Sequence, residues 1–142
     1  MSKVFFHPDI NYQDTKKIEL QYNSEINNYL VEKASKYITN ELSSFICSKS
    51  KILIICGPGF NGLDGIFLAR NLQNKNYNLK ILIIQDDLHR DYLLQFNLLD
   101  IVIDYTLELN SFDYIVDCIF GYGLNRELNN TNIDLVKTIN QS

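Results

Sequence analysis

A chain of 142 residues with 46% hydrophobic content fits one globular domain built on a single core. Its net charge of −4, with no basic stripe interleaved with aromatics, excludes the electrostatic footprint of a nucleic-acid binder. No apolar run approaches the roughly 18 residues of a membrane span, and Met1–Pro8 is too short and too soon interrupted for a secretory signal, so a soluble, cytoplasmic protein is expected.

In chain order, the first expected element is a short helix around Gln13–Tyr22, with Asp14 near its start. Ile26, Leu30, Ala34, Ile38 and Leu42 then recur every four residues, with Tyr37 and Phe45 beside them. That spacing predicts one face of an amphipathic helix over Ser24–Phe45. After Ser48-Lys49-Ser50 the pattern changes to short apolar runs, and four of them read as strands: Lys51–Cys56, Leu79–Ile84, Ile101–Tyr105 and Tyr114–Phe120. Their Ile and Val content lacks polar alternation, which suits strands covered on both faces. Helices are expected between and after them, at Gly65–Gln73, Leu88–Leu99 and Asn132–Asn140. The alternation argues an α/β fold with a mainly parallel sheet and right-handed crossovers. The last helix should return the backbone to another strand, but the sequence stops at Gln141-Ser142. A shortened domain with a bare sheet edge is therefore expected after the fourth strand and its helix.

Cys47, Cys56 and Cys118 are odd in number and form no C-x-x-C pair, so they read as inert thiols in a reducing compartment. His7 and His89 lack a second ligand at metal spacing and read as surface histidines.

Two loops could carry chemistry. Gly57, Gly59 and Gly62 spell G-x-G-x-x-G between a strand and a helix, and Asp86 and Asp87 follow the second strand where a dinucleotide fold places its ribose-binding acid. A nicotinamide-dependent oxidoreductase is the simplest reading of those residues. Asp64 tells against it: it is expected where the helix begins, as an N-cap, and a pyrophosphate at the same helix tip would face its carboxylate. At about 6 Å and an effective dielectric of about 20, each such pair costs roughly 3 kcal/mol, more than the ~1 kcal/mol a cap contributes. Asp64 acting as a cap and nothing more stays open beside this. The second loop, Gly121–Glu127, follows a strand that carries Asp117 among apolar neighbours, and a buried carboxylate needs a partner. In a doubly wound sheet the first and fourth strands are neighbours at the switch point, so their loops face one crevice. Asn61, Asp64, Asp117 and Arg126 would then line it; the alternative is two unrelated surface turns, with Asp117 tied to a nearby backbone N–H.

The chain resembles the NAD(P)HX epimerases, the YjeF N-terminal domain family. Their first loop typically reads G-P-G-N-N-G-G-D-G, as Gly57–Gly65 nearly does. Their D-x-[IL]-F-G-x-G-L-x-R pattern is matched by Asp117–Arg126, and their L-M-E-x-A helix motif is similar to Leu30-Val31-Glu32-Lys33-Ala34. The resemblance covers nearly all of this chain and about two-thirds of the family domain, implying a single, C-terminally incomplete domain over residues 1–142. It implies a three-layer α/β/α Rossmann-like sandwich and interconversion of the R and S hydrates of NADH and NADPH (NADHX and NADPHX). Substrate contacts carried over are Phe60, Asn61, Gly62, Leu63 and Asp64 in the first loop, and Gly121, Tyr122, Gly123, Leu124, Asn125, Arg126 and Glu127 in the second. Asp64 is the candidate proton-transfer group, and Arg126 is the candidate for the cofactor's phosphates. The family's potassium ion (K+) would fall to Asn61 and Asp117, and a homodimer is implied.

Some residues depart from the family pattern. Phe60 replaces an Asn and Leu63 replaces a Gly; a Leu forced to φ > 0 would strain the loop by roughly 1 to 3 kcal/mol. The family's following I-D-x-P-S-G strand, which brings further contacts, has no counterpart before Ser142, and the fused dehydratase domain has none either. The rival readings are a non-catalytic nucleotide-binding remnant of the domain and the oxidoreductase.

Overall fold

A computed structural model describes residues 2–5, 24–84, 90–98, 101–102, 107–121 and 130–141. The elements are β1 (Ser2–Phe5), α1 (Ser24–Phe45), β2 (Lys51–Cys56), α2 (Phe60–Asn74), β3 (Asn78–Ile83), α3 (Arg90–Gln95), β4 (Ile101–Val102), β5 (Tyr114–Cys118) and α4 (Asn130–Gln141). A 3₁₀ turn at Leu109–Ser111 leads into β5. The described strands form one five-stranded sheet in the order β1-β5-β2-β3-β4, and every pairing is parallel.

The absence of polar alternation in β2 has its reason in the layers. Ile52, Ile54 and Cys56 point to one face, where they join Ile38 and Leu42 of α1 and Ile66, Ala69 and Leu72 of α2. Leu53 and Ile55 point to the other, against Leu135 and Ile139 of α4 and Leu109 and Phe112 at the 3₁₀ turn. Both faces are therefore covered, and Ile52, Leu53, Ile54 and Ile55 are all 0% exposed. Burying each such side chain contributes about 1.5–3 kcal/mol, which makes β2 the axis of the α/β/α sandwich.

The structure corrects the sequence reading at β1 and along α1. The strand at Ser2–Phe5 was not anticipated. It pairs along β5, Ser2 with Tyr114 through Phe5 with Asp117, so the edge of β5 expected to be bare is occupied. The buried stripe of α1 is also displaced. Leu30, Tyr37 and Phe45 are exposed, and the inward face runs through Val31, Ser35, Ile38, Thr39 and Leu42. Ser35 and Thr39 can lie inside because their hydroxyls donate to helix carbonyls, Ser35 Oγ to Glu32 O at 2.9 Å and Thr39 Oγ1 to Ser35 O at 2.7 Å. Hydropathy alone scores both positions as outward. The expected helix at Gln13–Tyr22 lies outside the described residues, as do Asp86, Asp87 and both histidines.

Candidate active site

The first and fourth predicted strands, β2 and β5, are neighbours in register, with Cys56 opposite Cys118. Their carboxyl ends therefore open onto the same side, and the two glycine loops start side by side. The Gly57 N–H donates to Cys118 O at 3.0 Å, which prolongs the ladder into the loops. A side chain at Gly57 would place its Cβ 1.9 Å from Ile119 O, and one at Gly62 would lie 1.7 Å from Gly57 O. Glycine is needed at both positions so that backbone can touch backbone; no glycine among the described residues has a positive φ.

That folded-back turn moves the start of α2. The helix begins at Phe60, with Gly59 as an extended N-cap (φ −96°, ψ −169°), and the Leu63 N–H donates to Gly59 O at 3.1 Å. Asp64 is consequently not the cap. It lies in the second turn, four residues past Phe60 and about 6 Å further along the axis. The argument that a carboxylate closes the helix tip to phosphate loses its basis, because at about 10 Å the same repulsion falls below about 2 kcal/mol before screening. Leu63 is not strained either. The positive-φ residues other than glycine, among those described, are Asn76 and Asn97. Leu63 is a helical residue packed with Val31 and Phe67, and that packing accommodates the bulk. Phe60, at the first helical position, is 46% exposed.

Asn61 joins the loops, its Nδ2 donating to Phe120 O at 3.0 Å. Asp117, half-buried at the end of β5, accepts the Ile119 N–H on Oδ1 at 3.0 Å, so it does use a nearby backbone donor. The two carboxylates act on a common neighbour. Burial pushes the Cys118 thiol up, and the adjacent Cys56, Asp64 and Asp117 raise it further. Burial also holds the Cys56 thiol far above its ordinary value, so both cysteines are neutral, inert floor groups. Cys47 is exposed.

Asn61, Gly62, Asp64, Asp117 and Gly121 thus converge at one end of the sheet. Tyr122, Gly123, Leu124, Asn125, Arg126 and Glu127 lie outside the described residues. Among the described residues no three His, Cys, Asp or Glu side chains form a metal-binding group. Sequence reasoning missed the contribution of main-chain oxygens, Cys118 O and Phe120 O, which no side-chain pattern announces. The adjacency of the two strands was legible, but the expected span Tyr114–Phe120 ran two residues past Cys118, so the pairing of Cys56 with Cys118 comes from the register alone.

Residues 27–142 match the family described as YjeF-related protein N-terminus. The bifunctional NAD(P)H-hydrate repair enzyme Nnr of Synechocystis sp. is 32% identical over 119 residues, 78% of this chain and 22% of that protein. The NAD(P)H-hydrate epimerase of Fusarium vanettenii is 34% identical over 86 residues, 57% of this chain and 36% of that one. The NAD(P)H-hydrate epimerase of Oenococcus oeni is 30% identical over 120 residues, 80% of this chain and 57% of that one. Its fold is shared with the crystal structure of yeast ynu0 (YNL200c), at TM-score 0.74 and 19% identity, over 93% of this chain and 64% of that one. The chain therefore spans between about a fifth and just over half the length of these curated relatives. With the match running through α1, both loops and α4, the chain belongs to the YjeF-related protein N-terminus family.

Proposed function

We propose that this domain is an NAD(P)H-hydrate epimerase, an isomerase that interconverts the R and S forms of NADHX and NADPHX in repair of nicotinamide cofactors. The observation that carries the reading is the convergence of Asn61, Asp64 and Asp117 where the β2 and β5 loops meet, in a chain whose relatives are named for that activity.

Water sits on C6 of the damaged ring. The ring-nitrogen lone pair can expel it, breaking the C6–O bond and leaving a conjugated iminium ring. Asp64, protonated, gives its proton to the departing oxygen, and its carboxylate takes one back from a water that adds to the other face. The carboxyl group ends as it began and no redox partner is consumed. Phe60, the backbone at Gly62 and Leu63, and Gly121–Glu127 frame the substrate in this reading, with Arg126 assigned to the phosphates as a permanently charged donor fork. The Leu63 side chain itself is turned into the packing with Val31 and Phe67.

A potassium ion fits the donor set. Asn61 commits its N–H to Phe120 O, which leaves a carbonyl oxygen, and Asp117 at the end of the neighbouring strand carries a carboxylate; such hard donors suit a hard cation. Bound there, it would supply fixed positive charge beside the substrate. The working unit in this reading is a cytoplasmic homodimer.

The test uses the purified R-hydrate of NADH. Conversion to the S form above the spontaneous rate is expected, and Asp64→Asn should lower that rate by about 10²–10⁴ while the hydrate still binds. Full epimerisation by Asp64→Asn would remove the assignment. Binding without turnover by the unaltered chain would instead favour the non-catalytic remnant.

A further inference from the structure

The Asn61 side chain divides its amide between two tasks. Its partner, Phe120 O, is a carbonyl and can only accept, so the atom facing it must be the NH₂ group. The contact bridges 59 residues of sequence, joining the first turn of α2 to the residue just before Gly121. The loops are also pressed together there, because a Cβ on Gly121 would lie 3.2 Å from Asn61 Cβ. On the far side of the same turn, Ile119 N–H is held by Asp117 Oδ1. The start of the second loop is therefore fixed from two directions, by a side chain of β5 and by a side chain of α2.

We propose that Asn61 is a positioning residue that tethers the start of the second glycine loop, Ile119–Gly121, to the first loop through the donor half of its amide. This role is separate from any ligand contact by its oxygen. For the ligand in its test the proposal rests on the epimerase reading; the tether itself rests on geometry alone.

Asn61→Asp separates the two halves of the amide. It keeps an oxygen for a cation and removes the donor, setting a carboxylate against the Phe120 carbonyl. The change should not impair folding, because an acidic residue in the first turn of a helix is favoured by the helix dipole. If Asn61 were a cation ligand and nothing more, the variant would bind K+ at least as well and the loop would stay as it is. If it is a tether, amide hydrogen exchange at Ile119–Gly121 should quicken by about five- to tenfold, the equivalent of one net hydrogen bond. The thermal midpoint of the whole chain should hold, the Kd for the R-hydrate of NADH should rise, and added KCl should not restore it. Gly121→Ala approaches the same contact from the other loop and should give the same exchange pattern. Unchanged exchange at Ile119–Gly121 in Asn61→Asp overturns the tether, as does recovery of hydrate affinity by KCl. Should the unaltered chain fail to bind the hydrate, the epimerase reading falls, while the exchange comparison still decides the role of Asn61.

Discussion

Gly65 shows how closely single residues of this site are fitted. A methyl group there would lie 2.7 Å from Cys56 Sγ, 2.9 Å from Cys118 Cβ and 3.0 Å from Cys118 Sγ. Two effects oppose each other in Gly65→Ala. Alanine favours the helix by about 1 kcal/mol over glycine, whereas overpacking a closed core costs typically 1–3 kcal/mol. The second wins because all three atoms belong to buried strand residues, Cys56 and Cys118, with no free space to retreat into. Net destabilisation of roughly 1–2 kcal/mol is expected in urea unfolding. Cys56→Ala removes the nearest atom, so the double variant should be more stable than the sum of the singles by at least about 0.5 kcal/mol. Strict additivity would show that the thiols do not form the floor under α2. The sequence announced this position only as one more glycine in the loop; its neighbours follow from strand register, which side-chain identity does not reveal.

At the scale of elements, α1 is what holds α2, and with it the site, in place. Arg70 of α2 reaches Glu32 of α1 with two nitrogens, at 2.9 and 3.3 Å, and its guanidinium lies 5.0 Å from the Phe67 ring and 4.7 Å from the Phe96 ring. Asn71 Nδ2 donates to Ser35 Oγ at 3.2 Å beside it, and Tyr92 of α3 donates to Asn28 of α1 at 2.6 Å. The hydrogen bond from Arg70, helped by Lys36, holds the Glu32 carboxyl below its usual 4.5 against the opposing effect of burial. A lowered folded-state value means stability that is present above 4.5 and lost as pH falls through the lowered value. Glu32→Gln should therefore melt below the parent at neutral pH, and the gap should close on acidification, where the parent's Glu32 is itself neutral. Because Glu32 is about a third exposed, the difference should stay under about 1 kcal/mol. A gap independent of pH would mean that the packing of the Arg70 stem, not the charge pair, joins the helices. The span of α1 was legible from its periodicity, but its inward face was not. Self-satisfied hydroxyls at Ser35 and Thr39 make polar residues behave as core, and Glu32 drew notice only through the L-M-E-x-A similarity.

For the whole molecule, the parallel sheet and the adjacency of β2 and β5 were legible because strand-helix alternation and right-handed crossovers leave few other arrangements. The strand β1 was not. Ser2–Phe5 is four residues long and includes a lysine, so it carries neither an apolar run nor a clear alternation. What makes it a strand is the partner it finds, since β5 presents an unpaired ladder that any extended segment can satisfy. Deleting residues 1–5 should strip that ladder and expose the β5 edge. At about 0.5–1.5 kcal/mol for each net hydrogen bond lost, the thermal midpoint should fall, and the open edge should promote concentration-dependent association in sedimentation. The consequence should reach the site, because β1 ends with Phe5 opposite Asp117. Loss of that neighbour frees the β5 terminus from one side, so under the proposed epimerase function affinity for the R-hydrate of NADH should drop even in dilute, monodisperse samples. A deletion that melts and binds like the parent would mean that β5 keeps its position through β2 and the two helical layers alone, and that β1 is a cover for the edge with no part in positioning Asp117.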